Sequence, residues 1–231
     1  ESMRSKLAEY NDPRLSRAFI TKQGTSGKEQ APGTADNAVY APNGSPEQGT
    51  SKYGTSLFMY SISAPTLLLS YHELKFLEAE ALCRLGRDAK SALKDAVVAG
   101  LLNAESSFSV SRKELGKTLI NPASSITDTE AESYFDNTVE AKYTAEPLKT
   151  TMTQKYFALW GASGEATESY NDVRRMKGLG ENFIELKNPN SFPLRCPYGN
   201  SDTTTNAEVK AAYGNGQYVY SENVWWAGGS R

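Results

Sequence analysis

The stretch Ser70–Arg87, SYHELKFLEAEALCRLGR, decides how the rest of the chain is read. Ser70 followed by Glu73 forms a capping box, and Gly86 stands where a left-handed cap ends a helix, so both ends of one helix are marked. Leu74, Leu77, Ala81 and Leu85 make one apolar stripe on it; Phe76, Ala79 and Cys83 make a second on another side. A helix apolar on two faces belongs in a stack of helical hairpins, touching its own partner on one side and the next hairpin on the other. Glu73, Glu80 and Arg84 project between the stripes, with Glu78 at the edge of the main one. On a solvated face a Glu80–Arg84 pair at i, i+4 would be worth only about 0.3–0.5 kcal/mol.

Working outward, Ala89, Ala92, Leu93, Ala96, Val97 and Gly100 recur at helical spacing and predict a second helix over about 89–102. The short connection forces an antiparallel hairpin over 70–102, close to the roughly 34 residues of a tetratricopeptide unit. Residues 103–146 read as a loop, with a short helix over 111–117, and then a helix opened by Thr127 and Glu130 and running to about Tyr143, with Ala131, Tyr134, Phe135 and Val139 inward. A second hairpin follows over 147–178, started by Pro147 and turned at Gly161. The tail, 179–231, is loop-rich, with one short helix between Asn206 and Gly214 and short ribbons in QYVYS and VWW. The lead-in, 1–69, is also loop-rich, because 21–66 abound in Gly, Ser, Thr, Pro and Asn and lack long aliphatics. The predicted fold is mainly α: tetratricopeptide-like hairpins with long irregular loops and little β, with 1–231 forming one unit.

Composition excludes several functions. With 25 basic and 27 acidic residues among 231, the chain has no basic field to draw in nucleic acid. No apolar run approaches the roughly 20 residues of a membrane helix. Cys83 and Cys196 make neither a disulfide framework nor a zinc pattern. The opening residues, ESMRSKLAEYNDPRL, resemble neither a signal peptide nor a translation start, so the chain is expected to begin in the middle of a longer protein. His72, the single histidine, sits in the first turn of a packed helix and is read as an edge residue, so no histidine-based triad or metal pair is expected. GASGEA lacks the lysine and hydroxyl residue of a phosphate-binding loop. No catalytic residue, metal or cofactor is therefore expected.

Six stretches occur in order: NDPRL (11–15), YHELKFLEAEALCRLG (71–86), QKYFALWG (154–161), ESYNDVRRMKG (168–178), FPLRCPYGNSDTTTN (192–206) and NVWWAGG (223–229). Together they resemble the SusD/RagB-type nutrient-binding lipoproteins of Gram-negative outer membranes. The resemblance implies a lipid-anchored, cell-surface, non-enzymatic protein that binds an oligosaccharide or other nutrient and delivers it to a SusC-like, TonB-dependent transporter. The chain would be roughly the C-terminal half, with the lipid anchor and first repeats outside it. Departures from the family pattern are YNDVRR, where a bulkier aromatic often precedes the Asp, and Asp202, where Glu is usual. A helical-repeat scaffold binding peptide or protein is the alternative, and a glycan hydrolase a third reading; the long aromatic loop favours the first.

Three expectations concern particular residues. Glu73 or Glu80 should form a partly buried pair with Arg174 or Arg175, since buried carboxylates require partners. Trp225 and Trp226 should be mainly structural. Tyr40, Tyr53, Phe58 and Tyr60 are the candidate ligand-binding rings, with Asn37, Asn43 and Gln48 nearby to meet sugar hydroxyls. Tyr40 and Tyr53 rank first because Phe58 and Tyr60 adjoin the first helix, and Tyr198 and Tyr213 offer the next place to look.

Overall fold

A computed structural model describes residues 2–23, 29–32, 40–41, 53–186, 192–216, 218–224 and 229. Asn37, Asn43, Gln48, Trp225 and Trp226 lie outside the described residues. The chain divides into two compact units, 1–187 and 188–231.

In the first unit, α1 (Ser2–Glu9) leads into a 3-10 turn (Pro13–Ser16) and a small antiparallel sheet of β1 (Phe19–Gln23), β2 (Glu29–Pro32) and β3 (Thr55–Ser56), in the order β2-β1-β3. Ile20 lies opposite both Pro32 and Thr55. The 21–66 segment, expected to be loop throughout, therefore contributes two strands and part of a third, and a 3-10 turn (Leu57–Tyr60). Its anchor is the NDPRL stretch. Asp12 caps the first turn through the Arg14 amide and accepts from the Arg14 guanidinium at 2.8 and 2.6 Å, while Arg14 Nη1 donates to the Phe157 carbonyl at 2.9 Å. Both side chains are buried, so this pair ties the lead-in to the helical scaffold.

The scaffold consists of α2 (Tyr71–Arg84), α3 (Lys90–Leu115), α4 (Asp128–Tyr134), a π-helical turn (Phe135–Val139), α5 (Glu140–Ala145), α6 (Pro147–Leu159) and α7 (Ala166–Gly178). Ser70 Oγ accepts from the Glu73 amide, and Gly86, at φ +66°, closes α2 with bonds from Gly86 to Cys83 and from Arg87 to Leu82. That is the double bond of a Schellman cap, whose left-handed residue is ordinarily glycine. α3 corrects the prediction of a helix ending near Leu102 with a separate turn at 111–117. It runs on to Leu115 because Ala104, Phe108 and Ser111 extend the buried stripe of Val97, Gly100 and Leu101. Asn103, Ser106, Ser107 and Ser109 lie between those inward positions, and Ser111 Oγ bonds back to the Ser107 carbonyl. A Cβ on Gly100 would stand 3.0 Å from Ala158 Cβ, which shows how closely α3 and α6 approach.

α2 buries His72, Glu73, Phe76, Ala79 and Glu80, while Leu74, Leu77 and Leu85 are 52, 43 and 70% exposed. The Phe76 stripe is thus the one packed on α3 and α6. The Leu74 stripe stays largely exposed among the described residues, and α2 meets both its own partner, α3, and the next hairpin, through α6, on its other side.

In the second unit, α8 (Asn200–Thr205) and α9 (Ala207–Tyr213) form a short pair, with Asn206 Oδ1 capping α9. Leu194 N donates to the Val219 carbonyl at 2.7 Å and Tyr198 N to the Gly216 carbonyl at 3.2 Å. No strand occurs among the described residues of the predicted QYVYS and VWW ribbons.

Candidate functional site

A cleft of about 680 Å3 opens beside α2, α6 and α7, lined by Leu68, Leu69 and Leu77 and by a line of charges. Lys155 Nζ lies 3.0 Å from Glu73 Oε1 and 2.8 Å from Asp172 Oδ2. Asp172 Oδ1 accepts from Arg175 Nη2 at 2.9 Å, and Arg175 grips Glu80 with both terminal nitrogens, Nη2 to Oε2 at 2.8 Å. Arg84 Nε donates to Glu80 at 2.7 Å and its two other nitrogens to Glu181 at 2.8 and 2.9 Å. Glu165 Oε1 accepts from the Ser70 amide, and its Oε2 stands 3.6 Å from His72 Nε2.

Burial raises the Glu73 carboxyl, with Lys155 opposing. Burial would also raise Glu80, but its hydrogen bonds from Arg175 and Arg84 outweigh that and hold it below the ordinary range. Lys155 is raised: burial disfavours its charge, and Asp172 and Glu73 more than restore it. His72 is lowered by burial despite Glu165.

Of the four residues expected to pair, the structure brings Glu80 and Arg175 together. Arg174 instead lies over the Tyr170 ring at 5.3 Å, and Glu73 meets Lys155. Sequence reasoning missed Lys155, Asp172 and Glu165. The sequence TTMTQK carries no mark of burial; only in the packed helix are 150–155 all buried, and a lysine there requires carboxylates reaching in from neighbouring helices. The array clamps α6 to α2 and α7, and among the described residues there is no cluster of His, Cys, Asp and Glu able to hold a metal ion.

The candidate rings of the lead-in are built into the first unit. Tyr40 packs edge-on against Phe19 at 5.2 Å, with the Arg4 guanidinium over its face. Phe58 sits among Phe108, Trp160 and Gly161, with ring centroids 4.7 Å from Phe108 and 5.0 Å from Trp160. Tyr60 packs against the same core and Tyr53 is half-buried. A loop crossing a helical scaffold needs such anchors, so Tyr40 and Phe58 are not open platforms. In the second unit, Tyr198 and Tyr213 stack with centroids 4.5 Å apart, Arg195 lies over Tyr198 at 4.7 Å, and Tyr213 and Tyr220 are 37 and 47% exposed.

Helical hairpins clamped by a line of buried charge define a mainly helical scaffold, and among the described residues no helix is long and apolar enough to cross a membrane. The SusD-like family described as "starch-binding associating with outer membrane" matches residues 1–198, and the chain belongs to this SusD/RagB family. A SusD/RagB family protein from Bacteroides thetaiotaomicron is 64% identical, with a TM-score of 0.88 over 100% of this chain and 50% of that one. A Bacteroides vulgatus outer membrane protein, for which a nutrient-binding role has been proposed, shares the fold at 22% identity and a TM-score of 0.62, over 97% of this chain and 50% of that one. The chain spans half the length of both. No curated protein matches it.

Proposed function

We propose that the chain is part of a cell-surface, outer-membrane protein that binds oligosaccharide without transforming it and passes it to a SusC-like, TonB-dependent transporter. A lipid anchor would hold that protein to the membrane. The observation that carries this reading is the family match over residues 1–198, whose description is of binding and of the outer membrane. Within the chain, the stacked Tyr198–Tyr213 pair beside Arg195 supports a place for the ligand. Sugars present apolar C–H faces ringed by hydroxyls, which suit a flat exposed ring flanked by hydrogen-bond donors.

The test is titration with starch-type and other oligosaccharides, following intrinsic fluorescence, for the parent, Tyr213→Ala and Tyr40→Ala. Tyr213→Ala should weaken binding about tenfold, a loss of about 1.4 kcal/mol. Tyr40→Ala should leave affinity unchanged and lower the melting temperature. Loss of binding in Tyr40→Ala alone, at parental stability, would return the site to the lead-in. No binding of any oligosaccharide by the parent, or release of reducing sugar, would overturn the glycan-binding reading.

A further inference from the structure

The second unit carries a guanidinium whose hydrogen-bonding capacity its own chain leaves unused. The Arg195 side chain is 16% exposed, and its guanidinium carbon lies over the Tyr198 ring at 4.7 Å. Among the described residues that guanidinium makes no hydrogen bond: its ion-pair partner, Glu222 Oε2, stands 3.9 Å from Nη1, beyond hydrogen-bond reach, on a side chain 53% exposed. An arginine presents five N–H donors in a rigid fork, and one steadied by a ring without acceptors of its own is set to grip an oxyanion with two parallel bonds. The rings beside it are fixed in turn. Tyr198 and Tyr213 stack with their planes 26° apart. Gly216, at φ +70°, lets the chain close on Tyr198, since a Cβ there would stand 2.8 Å from Tyr198 Cβ. Asn206 caps α9, the helix whose last residue is Tyr213. Tyr213 and Tyr220 keep open faces, so flat apolar surface and an unanswered cation adjoin.

We infer that the Arg195–Tyr198–Tyr213 site takes an acidic sugar residue, one that bears a carboxylate or a sulfate, with the anion on the Arg195 fork and the sugar ring against Tyr213. This names the ligand class for the oligosaccharide-binding reading and rests on that reading. Neutral hydroxyls alone would be met by an amide side chain, whereas a charged fork matches a charged group. With a formal net charge of −2 the chain as a whole offers anions no attraction, so selection for an acidic sugar has to come from a local contact of this kind. Glu222 fits the same picture. Its carboxylate balances Arg195 in the free protein, and, exposed and held by no side-chain hydrogen bond among the described residues, it can turn away when a ligand anion arrives.

The experiment titrates the chain by calorimetry with tetrasaccharides of galacturonate and of unsulfated chondroitin, each beside its carboxyl-reduced neutral form, and with sulfated chondroitin to tell sulfate from carboxylate. The parent should bind an acidic tetrasaccharide about tenfold or more tightly than its neutral counterpart, and this advantage should shrink as salt rises from about 20 to 300 mM. Arg195→Gln should bring the two forms within about twofold of each other, while Arg195→Lys, which keeps the charge without the fork, should retain part of the advantage. Glu222→Gln should raise affinity for the acidic form about two- to threefold by removing the competing carboxylate. The salt series and Glu222→Gln read the same contact while leaving the stack of Arg195 on Tyr198 intact, so a loss of folding in Arg195→Gln does not decide the matter. Equal affinity of the parent for acidic and neutral forms, or an acid preference that survives Arg195→Gln, overturns the inference and leaves the oligosaccharide-binding reading standing. A parent that binds neither acidic nor neutral oligosaccharide overturns both.

Discussion

Lys155→Met tests the buried charge line most directly. The Lys155 side chain is 2% exposed and bridges Glu73 and Asp172, whose side chains are 7 and 12% exposed. Methionine keeps most of the volume but removes the cation. Asp172 retains Arg175, whereas Glu73 is left with no cation in hydrogen-bond contact. Removing one partner of a buried pair costs about 3–5 kcal/mol, against almost nothing for a solvated pair. For a chain of this length each kcal/mol moves the melting temperature by about 2–4 °C, so the expected drop is about 6–20 °C. Thermal melts with urea titrations at pH 7 measure it. Adding Glu73→Gln, which removes the stranded charge, should restore about half of the loss or more. The pH response supplies a second check. In the Lys155→Met protein the folded Glu73 lies above its unfolded value, so the penalty is absent below the unfolded value of 4.5 and grows as pH rises through the folded one. The gap between parent and variant should therefore narrow at acid pH. A variant within about 0.5 kcal/mol of the parent at pH 7, or losses that simply add in the double variant, would refute the argument.

Two further outcomes follow from the same geometry. His72 is lowered from 6.5 in the fold, so its neutral form is favoured there: stability is unaffected above pH 6.5 and is lost as pH falls from 6.5 through the folded value. The parent should lose stability on acidification more steeply than His72→Gln, and parallel profiles between about pH 7 and 5 would count against the assignment. Gly161 holds φ +79°, and a Cβ there would come within 2.5 Å of the Phe58 ring. Gly161→Ala should cost about 2–4 kcal/mol, and a melting temperature within about 1 °C of the parent would show that the turn can shift.

Local signals fixed the parts of this protein that depend on local chemistry. The Ser70 and Thr127 caps, the Gly86 turn, Pro147 at the head of α6 and the short link between α2 and α3 were all legible, because each rests on bonds within a few residues. The mainly α class followed from them, and the ordered motifs pointed to the family. Packing decided the rest. Whether α3 ends near Leu102 or continues depended on Ala104, Phe108 and Ser111 finding a surface to bury against, which a residue list does not contain. Glu73, Lys155 and Asp172 sit on three helices and meet only after those helices pack, so the sequence could say that Glu73 needs a cation but not which one. The same holds for the rings: an aromatic in a polar loop reads alike whether it faces solvent or pins the loop. Only the tertiary structure placed Tyr40 on Phe19 and left the Leu74 stripe of α2 open, because burial belongs to the whole assembled surface and not to any one segment.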